Sequence, residues 1–265
     1  MSDFALSWPA PLVRGTLLRR YDRFLADVTL DDGTRTTAHC VNTGAMEGLV
    51  LEGATVWLSP AHNPTRKLRW TWSAIDVGTV RVGVDTSLPN RLVRAMLEAR
   101  ALDGLSAWSE LRPEHAHAPG SRVDFRLLVG GHPHDVEVKN CHLVYPDGYA
   151  YFPDSVSTRA TKHLGLLARA ARRGEAATVL FVVQRTDVVA VRPSDAHDPE
   201  FARAARRAGA AGVRFRALRV GVETEGVKVL GEVPVDLGRY ELAGPRAWRE
   251  AGKAASGWRR GPRKT

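Results

Sequence analysis

The sequence predicts an all-β barrel of the OB type followed by an α/β domain, and three patterns predict it. Between Val13 and Val84, six short strand-like runs follow one another with turn residues between them. After Ser87, apolar stripes at helical spacing alternate with apolar strand runs. Within that second part, the runs 123–129 and 135–138 flank Gly130-Gly131-His132-Pro133 as the arms of a hairpin. At 265 residues the chain is long enough for two modest domains, each burying a core. The predicted boundaries are 1–84 for the barrel, 85–243 for the α/β domain and 244–265 for a basic, disordered tail.

In the first domain the predicted strands are 13–18, 24–30, 34–39, 55–58, 70–77 and 80–84, with Asp31-Asp32-Gly33 as a hairpin turn. Five or six short strands in so small a span suit a barrel that binds polynucleotides. Trp57, Trp70, Trp72, Tyr21 and Phe24 are interleaved with Arg19, Arg20, Arg23, Arg66, Lys67 and Arg69. Aromatics beside cations are what base stacking and backbone tracking require, although a small barrel also needs large residues in its core. Alternation puts Trp70 and Trp72 on one face. The Asn63-Pro64 break marks an exposed loop, which makes Arg66, Lys67 and Arg69 candidate phosphate contacts.

Ser87 is an N-cap and Pro89 an early position for a helix reaching about residue 101, with Leu92, Val93, Met96 and Leu97 as its apolar stripe. The hairpin follows. With a four-residue turn, Asp124 lies opposite Lys139 and Arg126 opposite Glu137, and alternation gathers all four on one face. Two carboxylates and a lysine at one point are costly unless neutralised. A hard divalent cation, Mg²⁺ first among them, is the usual solution in phosphoryl-transfer chemistry. In that reading Asp124 and Glu137 are metal ligands, and Lys139 orients a nucleophile or stabilises charge on the phosphate. The competing reading is an exposed hairpin whose charges pair across strands.

From about residue 155 to 173 a helix carries Leu164, Leu166, Leu167 and Ala171 on one side, and Arg159, Lys162, His163, Arg169 and Arg172 as basic residues. A basic helix beside a metal site can hold phosphate, which makes Arg159 and Lys162 candidate phosphate contacts; the competing reading is an amphipathic surface helix whose charges face water. The run 178–183 reads as a strand buried on both faces of a mixed sheet. Gln184 and Arg185 close it, where polar ligand sites often open. A helix over 199–208 and strands near 213–222 and 227–230 complete the layout.

The formal charge is +9, of which residues 244–265, with seven Lys/Arg and one Glu, hold +6, leaving +3 for the rest. Such a balance favours a polyanionic partner whose binding weakens with salt. Cys40 and Cys141 stand alone, which excludes a disulfide framework and a cysteine-based zinc site. His115-x-His117 and His132-x-His134 lack further ligands at familiar spacing. Neither a phosphate-binding Gly-Lys-Ser/Thr loop nor a dinucleotide fingerprint is present. With no leader pattern and no long apolar run, the expected protein is soluble and cytoplasmic, without a membrane partner.

Arg122-Val123-Asp124 with Glu137-Val138-Lys139 resembles the PD-(D/E)XK nuclease signature in the form carried by the sugar fermentation stimulation protein A (SfsA) family. Further blocks resemble that family in order: 38–46, 63–68, 85–92, 152–156, 162–164 and 181–185. Val41 stands where the family usually has proline, and Asp85 where asparagine is usual. The resemblance implies a PD-(D/E)XK nuclease-like second domain, sequence-nonspecific DNA binding, and regulation of sugar (maltose) metabolism. It extends Arg159 and Lys162 from phosphate to DNA and adds Arg122 to the candidate DNA contacts. It also implies a third metal-site acid, for which Glu98 on the first helix and Glu114, just before the first strand of the hairpin, are the candidates. The alternative function is an active Mg²⁺-dependent DNA endonuclease or exonuclease. RNA stays open as a partner of the barrel, and oligomeric state is unspecified.

Overall fold

The computed structural model describes residues 4–61, 63, 65–118 and 121–255. A short strand β1 (Ala5–Ser7) precedes β2 (Val13–Tyr21), β3 (Leu25–Leu30), β4 (Arg35–His39), β5 (Thr55–Pro60), β6 (Trp70–Val77) and β7 (Val80–Gly83). Next come α1 (Leu88–Glu98), β8 (Trp108–Ala118), β9 (Ser121–Val129) and β10 (His132–Cys141). They are followed by β11 (Leu143–Val144), β12 (Tyr149–Phe152), α2 (Thr158–Arg172), β13 (Ala176–Val183) and β14 (Ala190–Pro193). The chain then runs through α3 (Pro199–Ala210), β15 (Arg214–Val222), β16 (Gly226–Val233) and α4 (Ala243–Ala255).

Strands β2 to β6 close into a barrel because β4, besides pairing with β3, also pairs in parallel with β6. Closure removes the free edges that an open sheet of this size would leave. Alternate residues fill the inside: Ala26, Val28 and Leu30 from β3 meet Leu17, Leu58, Trp72 and Ile75. Trp72 is fully buried, so it is a core residue and not a stacking platform. Trp57 is spoken for as well, with its indole N–H on Asp76 and the Arg81 guanidinium 3.6 Å over its ring. Among the aromatics read as base platforms, Phe24 is the large exposed one, at 49%.

The second domain is built on a seven-stranded mixed sheet in the order β1-β16-β15-β13-β10-β9-β8. Its centre, β10-β13-β15, is parallel, and β13 is buried on both faces, as its unbroken apolar run predicts. Helix α1 and part of the barrel, including Ala74 and Trp57, cover one face. Helices α2 and α3 cover the other. The first turn of α1 therefore lies between barrel and sheet, and that position makes it central to the site.

Several elements differ from the sequence reading. Residues 5–7 pair with β16, so the chain's start joins the second sheet and not the barrel. His115 and His117 lie in an edge strand, β8, and not in a loop. Pro113 and the charged residues around it hid that strand, and edges are where sheets tolerate both. The segment read as a disordered tail begins with α4: Trp248 packs 5.7 Å from Tyr145, and Arg249 donates to the Ala196 carbonyl. One aromatic anchor on an alanine-rich helix outweighs the basic composition. The rest of that tail, residues 256–265, lies outside the described residues.

Candidate functional site

The hairpin turn is shorter than expected. Gly130 and Gly131, at φ +58° and +81°, form a two-residue loop, and Val129 pairs with His132. Two consecutive positive φ values are what a tight hairpin matching strand twist requires, and glycine adopts them without strain. Arg126 therefore faces Asp135 and not Glu137, through bonds of 2.6 and 2.7 Å, and Asp124 is not opposite Lys139. The register moves by two residues, which preserves the face. Asp124, Glu137 and Lys139 still converge.

They converge where β9 and β10 part. The paired register ends at Phe125 and Val136, and beyond it the Asp124 carboxylate replaces a strand partner by accepting the Val138 N–H at 2.7 Å. Its other oxygen accepts the Asn90 amide at 2.9 Å, from the first turn of α1. Glu137, 3% exposed, receives Lys139 Nζ on Oε1. On the same oxygen His163 Nδ1 approaches at 2.5 Å from α2. Glu137 and Lys139 share a face because they are two apart on a strand. His163 reaches them because it lies within the buried stripe of α2 with Ala160, Leu164 and Leu167.

The two carboxyls are driven apart electrostatically. Burial works to raise both. At Asp124, the neighbouring Glu137 charge adds to burial and outweighs Lys139 and the two hydrogen bonds, so the carboxyl is held above its ordinary range. At Glu137, the bonds and charges of His163 and Lys139 overcome burial, and the carboxyl is held below it. The corner thus joins a firmly ionised acid to one that is short of positive charge.

Neither candidate third acid joins the corner. Glu98 sits at the surface, 2.8 Å from Arg94, and Glu114 is exposed on β8. Among the described residues, no group of three or more His, Cys, Asp or Glu is arranged to hold a metal ion. Sequence reasoning gave no role here to Asn90 or His163. A histidine inside the apolar stripe of α2 was the signal for one, while Asn90 carried none. Gln184 and Arg185 do not open a ligand site. Gln184 is fully buried and ties the Asp85 carbonyl to Asn140, and Arg185 is taken up by Asp187 and the His142 carbonyl.

The basic candidates distribute around this corner. Arg122 is exposed two residues before Asp124, and Arg159 and Lys162 are exposed on α2, beside His163. Arg66 and Lys67 line a groove of about 670 Å³ between the barrel and the start of α1, together with His39, Asp85, Ser87 and Arg91. Arg69, also exposed, is not among the residues lining it. Ser87 occupies the predicted N-cap of α1, but its hydroxyl bonds Asp85 at 2.6 Å instead of capping the helix. Burial and then Arg66 lower the His39 imidazole below its ordinary value, so it is neutral near pH 7. No helix among the described residues is long and apolar enough to cross a membrane.

Comparison with known proteins matches residues 87–226 to the sugar fermentation stimulation protein RE domain, and residues 18–84 to the SfsA N-terminal OB domain. The sugar fermentation stimulation protein homolog of Geobacter sulfurreducens is 46% identical over 230 residues, covering 87% of this chain and 98% of that protein. The homolog of Jannaschia sp. is 43% identical over 234 residues, covering 87% and 97%. The solved structure of Pyrococcus furiosus SfsA in complex with Ca²⁺ superposes with a TM-score of 0.79 at 25% identity, covering 87% of this chain and 98% of that one.

Proposed function

The chain belongs to the sugar fermentation stimulation protein family, and from that premise we propose that it binds DNA without sequence preference and holds a divalent cation at Asp124 and Glu137. DNA binding is the step through which such a protein would regulate sugar (maltose) metabolism. The observation that carries this reading is the corner itself: a buried carboxylate, Glu137, and a half-buried one, Asp124, with a lysine where strands β9 and β10 part, and exposed cations on β9 and α2. A protein kept only to bind DNA has no physical need for paired carboxylates beside a phosphate backbone, since alone they repel it.

The donor set suits a hard cation. Both ligands are carboxylate oxygens, and Asp124, held above its ordinary range, lacks the positive charge that a cation would supply. Mg²⁺ is the expected ion, and the Ca²⁺ complex of the archaeal relative supports an oxygen-seeking divalent cation at this fold. When bound, such an ion neutralises the paired carboxylates and draws a phosphodiester to them. Asn90 and the Val138 N–H aim Asp124, while His163 fixes Glu137. Arg66, Lys67, Arg69, Arg122, Arg159 and Lys162 supply phosphate contacts.

A second reading, phosphodiester cleavage by a Mg²⁺-dependent endonuclease or exonuclease, is favoured by Lys139. Its ammonium lies at the carboxylates, where it can stabilise charge developing on phosphate. One experiment tests both readings: binding and cutting of labelled DNA with Mg²⁺, Mn²⁺ or EDTA, beside Asp124→Asn, Glu137→Gln and Lys139→Ala. Metal-strengthened binding that disappears in Asp124→Asn is expected, and binding indifferent to metal removes the cation site. Cutting that is lost in Glu137→Gln and Lys139→Ala establishes the enzyme.

A further inference from the structure

The geometry points to single-stranded DNA as the polymer this protein takes, lying in the groove between the barrel and α1 and running from there to the carboxylate corner. This rests on the DNA-binding reading and makes it specific. The groove holds about 670 Å³, within the range of pockets that enclose a compact ligand. Its cations are Arg66, Lys67 and Arg91, and its walls also include the apolar Val41, Pro60 and Leu68. A row of cations beside an OB barrel is the backbone-tracking component of a single-strand channel, while the lining among the described residues offers no Phe, Trp or Tyr for base stacking.

What joins groove to corner is one turn of helix. Arg91 lines the groove, and its neighbour Asn90 donates to Asp124 at 2.9 Å. Asn90 and Arg91 leave the same turn of α1 about 100° apart, so the groove and the carboxylates lie on adjoining sides of that turn. Depth at the corner agrees, because Glu137 is 3% exposed and the Lys139 side chain 14%. A single strand can bring a phosphate into such a recess, whereas the phosphates of a closed duplex stay on its outer surface. Among the described residues Asp85 is the one acid lining the groove, and it is largely committed: it accepts from Ser87 and lies 4.0 Å from Arg91.

The test is fluorescence anisotropy of the full chain with labelled oligothymidine of about 12 nucleotides, the matching duplex and the matching RNA, over a range of salt. Wild-type protein should bind the single strand at least about tenfold more tightly than the duplex or the RNA. Lys67→Ala with Arg91→Ala should remove that preference and make the single-strand salt slope shallower by about 1.4, for two lost contacts. Arg35→Ala, an exposed cation on β4 outside the groove, should leave both unchanged. Because Lys67 is exposed, Lys67→Glu gives the same reading if the double variant does not fold. Duplex bound as tightly as single strand overturns the channel and leaves DNA binding standing, and RNA bound as tightly overturns the choice of DNA. A single-strand preference untouched by the groove variants overturns the location. Binding to none of the three removes the DNA reading and this one with it.

Discussion

The carboxylate corner and the basic groove share a wall, the first turn of α1, yet they are held in opposite ways. In the corner each carboxylate is tied to two elements: Asp124, on β9, to α1 and β10, and Glu137, on β10, to Lys139 of the same strand and to α2. In the groove, Lys67 stands exposed and the Arg91 side chain is 43% exposed. The corner's geometry is therefore set by the packing of four elements, β9, β10, α1 and α2, while the groove works through charge at a distance. Mutations in the first should read out in stability and cation binding, and those in the second in salt dependence.

The largest effect expected is that of Glu137→Ala. Removing the carboxylate strands Lys139 and His163 in a buried site, and breaking a buried pair from one side costs about 3–5 kcal/mol. Lys67→Ala in the groove should change stability by less than about 0.5 kcal/mol. Urea unfolding of both variants measures the difference. Equal midpoints would erase the distinction between a packed corner and a solvated groove.

The second effect is on pH. Asp124 holds its proton above the ordinary carboxyl range, so a cation must compete with that proton, while Glu137, held below the range, stays ionised. Cation affinity should fall as pH drops through the raised Asp124 value, by up to about tenfold per unit for one competing proton. Calorimetric titration with Mg²⁺ measures it, and an affinity flat in pH would place the cation elsewhere. The fold sets a lower limit to the range. Burial and then Arg214 push His134 down to about 4 from its ordinary 6.5, and it bonds Thr178 at 2.8 Å. A histidine kept neutral stabilises fully above its unfolded value, and that stability is lost as pH falls from about 6.5 toward 4.

The corner was legible in the sequence for a reason that the groove was not. The turn was expected over the four residues between the apolar runs, Gly130 to Pro133, whereas β10 already begins at His132. In the structure Pro133 pairs with Leu128, one residue before β10 begins to pair with β13 at His134, so its missing N–H falls where no central ladder bond is due. The error shifted the register by two, and strand periodicity returned Asp124, Glu137 and Lys139 to one face. No such periodicity governs a groove formed between residues 39–71 and 85–91. Arg66 and Lys67 were legible only as loop cations, and Arg91 not at all, because its position depends on how α1 docks against the barrel. The aromatic residues misled in the other direction, since composition does not separate a core tryptophan such as Trp72 from a stacking one.

The smallest effect sharpens the comparison at its far end. Residues 244–265 were read as one basic tail, but α4 carries Arg246 and Arg249 on a docked helix, with Trp248 against Tyr145. Deleting the whole segment would confound charge with the loss of that packing. Removing residues 256–265 alone takes away Arg259, Arg260, Arg263 and Lys264 and leaves the anchor. If these four cations contact phosphate, the single-strand salt slope should become shallower by up to about 2.8, while cation binding at Asp124 stays as it was. An unchanged slope would confine phosphate binding to the folded surfaces. A changed cation affinity would mean that the two regions are coupled and that the separation argued from their packing is wrong.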